Sequence, residues 1–154
     1  MKINIASNEV IHFIGIGGIG MSGLAQIMNN MGFIIQGSDL SRNKNTDRLI
    51  KTNIKVLFGH QQKNLNKATM VVTSSAIKKN NIELITAKRK KLPIFNRGEM
   101  LANIVALKKN IVITGAHGKT TTTSLIANIL VKAGLDPTVI NGGVINSLKN
   151  NAQL

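Results

Sequence analysis

The strongest constraint on the fold is a strand–glycine–helix junction that occurs twice in the chain. Residues 11–23 read IHFIGIGGIGMSG, and residues 111–123 read IVITGAHGKTTTT. In both segments a short apolar run ends at a glycine, and a helical pattern follows. Strands that alternate with helices form parallel sheets covered on both faces, so the two junctions predict an α/β protein with a parallel sheet.

Short apolar runs also alternate with helical patterns between the two junctions. The spacing predicts strands at 10–14, 33–35, 54–58, 70–73 and 93–95, and helices at 19–31, 81–90 and 97–107. The GSD triplet at 37–39 is expected to close the second strand. The polar residues 41–48 are expected to form a loop that leads into a short helix.

The strand–helix pattern starts again after Lys108, Lys109 and Asn110. We therefore predict a Rossmann-like parallel-sheet domain at 1–108 and a P-loop ATPase domain that begins at 109 and runs to 154. Residues 109–154 offer a strand from 111, a helix through 124–131 and a strand within 134–140, which is too little for a stable parallel sheet. We expect this second domain to be incomplete.

The composition excludes several classes of protein. The chain has no cysteine, which excludes disulfide frameworks and thiolate metal sites. Its start lacks the apolar core of a signal peptide, and no apolar run reaches the ~20 residues that span a bilayer, so we expect a cytoplasmic protein without membrane contact. The net charge of +14 favours binding of an anionic nucleotide. We expect no nucleic-acid partner, because the lysines are scattered along the chain and are not interleaved with aromatic residues.

The first junction has the spacing of a dinucleotide-binding loop. Gly15, Gly17 and Gly20 form G-x-G-x-x-G, whose glycines permit a tight turn, close approach of the backbone to a diphosphate, and helix–strand packing. The helix N-terminus then offers free N–H groups to the phosphates, and Ser22 can donate a hydroxyl. The alternative is that the glycines serve packing alone.

Three further residues could belong to the same site. Asp39 follows the second strand at the distance expected for an acid that binds a ribose, but it could equally be a helix N-cap. Ser74 and Ser75 follow the fourth strand, at the sheet edge where ligands of such folds bind. Serines at such positions are also common turn residues.

The second junction is similar to a shortened P-loop. Ile113 stands where G-x-x-x-x-G-K-[ST] has its first glycine, but TGAHGKT at 114–120 keeps the remainder. Its backbone N–H groups can surround a phosphate, and Lys119 can reach the β- and γ-phosphates as a point charge. The Thr120 hydroxyl is placed to ligate Mg²⁺, and Thr121 can hold an adjacent phosphate oxygen.

The sequence predicts different roles for the three histidines. His117 lies in the second glycine loop and could contact a nucleotide or lie at the loop surface. His12 lies inside an apolar strand, which favours a structural role, and His60 follows Gly59 in a turn without an assigned role.

Several motifs in fixed order resemble the Mur ligases. They are HFIGIGGIGMSGLA at 12–25, GSD at 37–39, TSSAI at 73–77, RGEML at 97–101, TGAHGKTTTTS at 114–124 and LDPTVINGG at 135–143. GIGGIGMSG is most similar to the members that add L-alanine, whereas Gly98 departs from the alanine usual there. The resemblance implies an enzyme of peptidoglycan synthesis in which ATP phosphorylates the carboxylate of UDP-N-acetylmuramate and the amine of L-alanine attacks the acyl phosphate.

The resemblance also implies which residues form the sites. The UDP-substrate site would comprise Gly15, Gly17, Gly18, Ile19, Gly20, Met21, Ser22, Asp39, Ser74, Ser75 and Arg97. The ATP site would comprise Gly115, Ala116, His117, Gly118, Lys119, Thr120 and Thr121, with Lys119 and Thr120 as catalytic residues and Thr120 as the Mg²⁺ ligand. The chain stops soon after NGG at 141–143, before the carboxylate and the histidine that complete the Mg²⁺ site in the family, so we expect this chain not to ligate alone.

Two other functions remain open on the sequence. A non-catalytic nucleotide-binding remnant would keep both glycine loops without turnover. An NAD-dependent oxidoreductase would use G-x-G-x-x-G and Asp39 but would leave TGAHGKT unexplained.

Overall fold

The computed structural model describes residues 9–141 and 144–147. The chain forms two compact units, Met1–Lys108 (unit 1) and Lys109–Leu154 (unit 2). Among the described residues, none of the helices combines the length and the apolar character needed to cross a membrane.

Unit 1 contains a parallel sheet of five strands. They are β1 (Val10–Ile14), β2 (Ile34–Asp39), β3 (Lys55–Phe58), β4 (Met70–Thr73) and β5 (Ile94–Asn96), in the order β3-β2-β1-β4-β5. All neighbouring pairs are parallel. This is the order of doubly wound nucleotide-binding sheets, in which the direction of winding reverses between β1 and β4. The prediction of an α/β fold with a parallel sheet is confirmed.

The helices of unit 1 begin at residues that suit helix ends. They are α1 (Ile19–Asn30), α2 (Lys44–Lys51), α3 (Ile82–Arg89) and α4 (Arg97–Val105), with a short 3₁₀ helix at Gln62–Leu65. The side chains of Asn43, Asn81 and Asn96 accept hydrogen bonds from first-turn amides of α2, α3 and α4. Gly32, with φ of +92°, follows the end of α1, where the left-handed conformation favours glycine.

The core lies on both faces of this sheet. On one face Ile14 and Val71 pack with Leu65, Leu84 and Ala87, which come from the 3₁₀ helix and α3. Helix α1 contacts α2 and α4. The sheet is therefore packed on both faces, and this packing positions the carboxyl ends of the strands, where the glycine loop begins.

Strand β2 is longer than predicted, and this corrects the GSD turn. Gly37, Ser38 and Asp39 belong to the strand, because they pair with β1 on one side and β3 on the other. A Cβ at Gly37 would lie 2.6 Å from both the Phe13 carbonyl oxygen and Ile16 Cδ1. Glycine is therefore required at 37 by packing, not by a turn.

Unit 2 differs from the prediction more than unit 1 does. It contains α5 (Lys119–Lys132) and an antiparallel pair, β6 (Thr138–Asn141) and β7 (Val144–Ser147). The strand predicted from 111 is wrong, because neither strand of the described pair bonds to it and Ile111 and Val112 are exposed. The predicted strand within 134–140 exists as β6, but it pairs antiparallel rather than parallel.

Candidate functional site

The first glycine loop turns at the carboxyl edge of the sheet, between β1 and β4. Gly15 has φ of +80°, and its amide donates to the Ser38 carbonyl at 2.8 Å, as the Ile16 amide does at 3.0 Å. A Cβ at Gly15 would lie 3.3 Å from Ile77 Cδ1 and 3.4 Å from Ser74 Cβ. The ends of β1, β2 and β4 therefore meet at this glycine, at the point where ligands of doubly wound sheets bind.

Gly17 is enclosed by the β2–α2 connection. Its amide donates to Asp39 Oδ2 at 2.7 Å, and its carbonyl accepts from Asn45 Nδ2 at 2.8 Å. A Cβ there would lie 2.6 to 2.9 Å from Asn43, Asp39 and Thr46. Side chains of the protein therefore lie close to Gly17, and its amide already has an acceptor; contact of this glycine with a diphosphate stays a prediction.

The sequence did not lead us to predict the residues of the β2–α2 connection that surround Gly17. Asn43 and Thr46 form a capping box at the start of α2, and their side chains and backbones bond reciprocally. A capping residue followed three positions later by a second polar residue is a recognisable helix start, so the signal was present within the segment assigned to a loop.

The N-terminus of α1 has the free donors that an anion needs. Gly18 is the N-cap and contributes no side-chain bond. In the part of the chain that the structure describes, the amides of Ile19, Gly20 and Met21 have no acceptor. The guanidinium of Arg97 lies beside them, since a Cβ at Gly20 would be 2.9 Å from its Nη1. Unbonded N–H groups, the positive end of a helix dipole and a cation together favour a phosphate.

Two of the proposed UDP-site side chains are buried. Ser22 is fully buried and its hydroxyl donates to the Ile19 carbonyl at 3.0 Å. Met21 is 2% exposed and belongs to the core. The Ser22 hydroxyl therefore already has an acceptor and no access to solvent, so its contact with a ligand stays a prediction. Met21 could contribute only its amide.

The remaining predicted residues of this site stand at its border. The two carboxylate oxygens of Asp39 accept one backbone N–H each, from Gly17 and from Leu40 at 2.8 Å, and a carboxylate retains lone pairs for a further donor. Asp39 is not the N-cap of α2, because Asn43 is. Ser74 Oγ accepts from the Ala76 amide at 3.3 Å, as a turn residue does, whereas Ser75 is exposed.

A buried polar cluster lies next to this edge, on the α3 face of the sheet. Its centre is Glu83, which is fully buried in the first turn of α3. Glu83 Oε2 lies 2.5 Å from Ser38 Oγ, 3.2 Å from His60 Nδ1 and 3.3 Å from His12 Nε2. Asn64 Nδ2 donates to Oε1 at 2.6 Å. These five side chains are called the Glu83 cluster below.

The hydrogen bonds of the Glu83 cluster keep its carboxylate ionised. Burial raises the pKa of Glu83, but hydrogen bonds from His12, Ser38 and Asn64, with the Coulomb attraction of His12, outweigh burial and lower the pKa from 4.5 to about 2. His12 is itself fully buried, and its Nδ1 lies 3.2 Å from Gln36 Nε2. Both ring nitrogens of His12 are bonded, in agreement with a structural role.

The second glycine loop forms a separate exposed turn in unit 2. Gly115 and Gly118 have φ of +150° and +75°, and Gly118 is the N-cap of α5. Lys119 Nζ donates to the carbonyls of Gly115 and Ala116 at 2.6 and 3.1 Å, so its ammonium lies over the loop. Positive-φ glycines, a helix N-terminus and this ammonium are the parts of a phosphate cradle.

The polar side chains around this loop are open to solvent. Thr120 and Thr121 are exposed at the start of α5, and their hydroxyls have no partner among the described residues. His117 is exposed as well, which places it at the loop surface. Over the same described part of the chain, no group of three or more His, Cys, Asp or Glu side chains is arranged to hold a metal ion.

Comparisons with known proteins give the family. The model of the Mur ligase family, catalytic domain, matches residues 10–109. The chain is 66% identical over its full length to UDP-N-acetylmuramate–L-alanine ligase of Pelagibacter ubique and 55% identical over 94% of its length to that of Azorhizobium caulinodans. It covers 33% and 31% of those proteins, so it spans about a third of the length of the curated relatives it matches.

A solved structure agrees with these relatives. The crystal structure of UDP-N-acetylmuramate–alanine ligase from Thermotoga maritima aligns with a TM-score of 0.75 and 34% identity, covering 86% of this chain and 31% of that one. The resemblance read from the ordered motifs is confirmed. With more than half of its residues matched by one family model, the chain belongs to the Mur ligase family.

Proposed function

We propose that this chain contributes the UDP-N-acetylmuramate and ATP sites of a ligase that joins L-alanine to UDP-N-acetylmuramate. The observation that carries the proposal is the uncapped N-terminus of α1, whose free amides lie beside Arg97 at the switch point of the sheet. The names of the relatives supply the substrates.

Unit 1 is assigned to the UDP substrate. The amides of Ile19, Gly20 and Met21 would donate to the diphosphate, and Arg97 would offset its charge. Asp39 would accept a ribose hydroxyl with its remaining lone pairs while it holds Gly17. We assign residues 1–108 to this Rossmann-like domain.

Unit 2 is assigned to ATP, with residues 109–154 belonging to a P-loop ATPase domain. Lys119 would exchange its bonds to the carbonyls of Gly115 and Ala116 for the β- and γ-phosphates, which a flexible ammonium can do at small cost. The free Thr120 hydroxyl fits Mg²⁺ as a single protein ligand, because this ion keeps several waters and takes phosphate oxygens. When bound, Mg²⁺ would neutralise charge on the triphosphate.

The chemistry expected of such a site is activation of a carboxylate. Lys119 stabilises the charge that spreads over the γ-phosphoryl group while the substrate carboxylate attacks it, and ADP leaves. The amine of L-alanine then attacks the acyl carbon, the amide bond forms and phosphate leaves. We place the protein in the cytoplasm, as the sequence analysis predicts.

Calorimetry of the 154-residue chain tests the proposal. We expect heat for UDP and UDP-N-acetylmuramate and, separately, for Mg-ATP. Arg97→Gln should weaken UDP binding about tenfold, because it removes one charge-assisted contact. Arg89→Gln is the matched control, since Arg89 lies at the end of α3 and, among the described residues, donates only to Gln62.

Absence of heat for UDP and UDP-N-acetylmuramate would refute the assignment of unit 1. Equal affinities of the Arg97 and Arg89 variants would remove Arg97 from the site.

A further inference from the structure

A cavity of about 310 Å³ lies in unit 1 beside the edge strand β3, and it is called the β3 cavity below. Its lining includes Lys55, Lys63 and Lys67 and the amide residues Gln36 and Asn64. Gln36 pairs with Lys55 in the sheet, and each lies three residues before the carboxyl end of its strand. At about 3.3 Å per residue, this pair is about 10 Å from the edge where the first glycine loop begins. None of the lining residues belongs to the UDP or ATP site proposed above.

The two amide residues are buried by more than nine-tenths. Gln36 is 7% exposed and Asn64 is 8% exposed. Gln36 Nε2 donates to the Asn64 backbone carbonyl at 2.9 Å. Asn64 Nδ2 donates to the Gly59 carbonyl at 3.0 Å and to Glu83 Oε1 at 2.6 Å. Because these partners can only accept, each amide turns its NH₂ group into the protein.

The carbonyl oxygens of both amides are left for a ligand. Within residues 9–141 and 144–147, neither Gln36 Oε1 nor Asn64 Oδ1 accepts a hydrogen bond. Over the same ranges no enclosed side-chain nitrogen or oxygen lacks a partner, so both oxygens reach the accessible surface. The little exposed surface of these two residues faces the β3 cavity, since both line it. The floor of the cavity therefore accepts hydrogen bonds.

The rim of the β3 cavity carries positive charge without a counter-ion. Lys55, Lys63 and Lys67 are exposed, and none of them forms an ion pair with a described carboxylate. The nearby Glu83 is fully buried and bonds to the inner side of Asn64. Lysines at a surface are commonly just solvated, but here they surround a concave site with buried acceptors at its floor. A concave surface lined by one sign of charge concentrates ions of the opposite sign.

We propose that the β3 cavity binds a compact anion that also carries hydroxyl or amine donors. The anionic group faces the three lysines, and the donors bond to Gln36 Oε1 and Asn64 Oδ1. The volume equals that of about ten waters at about 30 Å³ each, which suits a molecule of about ten to fifteen non-hydrogen atoms. Phosphorylated sugars and amino dicarboxylic acids share this chemistry. The site is separate from the proposed ligase function and does not depend on it.

NMR titration of the 154-residue chain tests this proposal, because the side-chain NH₂ signals of Gln36 and Asn64 report on the floor of the cavity. The probes are glucose 6-phosphate and L-glutamate. Their counterparts are methyl phosphate and glutarate, which keep the anionic group and lack the sugar hydroxyls or the amine. We expect at least one probe to shift both signals with a Kd of about 1 mM, and its counterpart to bind at least about threefold more weakly. The probe that binds shows whether the site takes a phosphate or a carboxylate.

Two lysine variants test the rim. Lys63→Met should weaken binding of that probe about threefold to tenfold, because it removes one cation from the β3 cavity. Lys51→Met is the matched control and should leave the Kd unchanged, since Lys51 is also exposed but lies in the last turn of α2, which contacts α1. Both side chains are exposed, so neither substitution should disturb the fold.

Three results would overturn the proposal. The first is the absence of shifts in both NH₂ signals with glucose 6-phosphate and L-glutamate at about 10 mM. The second is equal affinity for a probe and its donor-free counterpart, because the acceptors at the floor would then take no part. The third is equal affinity of the Lys63 and Lys51 variants, which would assign binding to the net charge of +14 instead of the β3 cavity.

Discussion

Replacing Glu83 with glutamine tests whether a buried carboxylate stabilises unit 1. The substitution keeps the size of the side chain and removes its charge. The drop in the pKa of Glu83 from 4.5 to about 2 means that the folded state favours the ionised form. At about 1.4 kcal/mol for each pH unit, this preference corresponds to about 3 kcal/mol of folding free energy.

The dependence on pH follows from the direction of the shift. A carboxylate whose pKa is lowered on folding stabilises the protein above the pKa of the unfolded chain, and this contribution is lost as the pH falls from 4.5 toward 2. We therefore expect Glu83→Gln to cost about 3 kcal/mol near neutral pH, and the difference from the original chain to narrow to about 1 kcal/mol near a pH of about 3.

Urea unfolding followed by circular dichroism measures these free energies, and hydrogen exchange of β1 amides assigns them to unit 1. Asp47→Asn is the matched control, because Asp47 makes an exposed pair with Arg42 and should change stability by less than about 1 kcal/mol. A cost of Glu83→Gln that does not change between neutral and acidic pH would refute the reasoning, since a packing defect alone does not titrate.

Two further predictions concern glycine packing and the second loop. Gly37→Ala should lower the free energy of unfolding of unit 1 by about 1 to 3 kcal/mol in urea, because the added Cβ would overlap the Phe13 carbonyl. Gly98→Ala is the control and should be neutral or stabilising, since Gly98 lies in a helix and the atom nearest to an added Cβ is 3.4 Å away. Equal effects of the two substitutions would contradict this prediction. Lys119→Met should weaken Mg-ATP binding at least about tenfold in calorimetry and leave UDP binding unchanged. Lys132→Met, at the other end of α5, should leave both affinities unchanged, and weaker Mg-ATP binding by this variant would show a nonspecific charge effect.

The local features of the chain were predicted well where neighbours in sequence decide them. The strands at Val10–Ile14 and Met70–Thr73 and the start of α1 at Ile19 follow from apolar runs and from the glycines after β1. The helices predicted from 81 and 97 begin in the structure at Ile82 and Arg97, directly after the capping side chains of Asn81 and Asn96.

Predictions failed where the decisive partner was distant in the chain. The apolar run at Ile111 has strand-like composition, but a strand also requires a neighbour to bond with, and the described strands of unit 2 pair only with each other. The surroundings of Gly17 could not be predicted either, because Asp39 and Asn43 come from another part of the chain; its contact with a ligand stays a prediction.

The sequence by itself determined the alternation of strands and helices, both glycine loops and the family, because these depend on residues a few positions apart. Only the tertiary structure decided that β2 runs through Asp39, that the amides at the start of α1 stay free beside Arg97, and that His12, His60 and Glu83 share one buried site. Hydrogen bonds and close packing act between atoms in space, and the fold brings His12 and Glu83, 71 positions apart, within 3.3 Å.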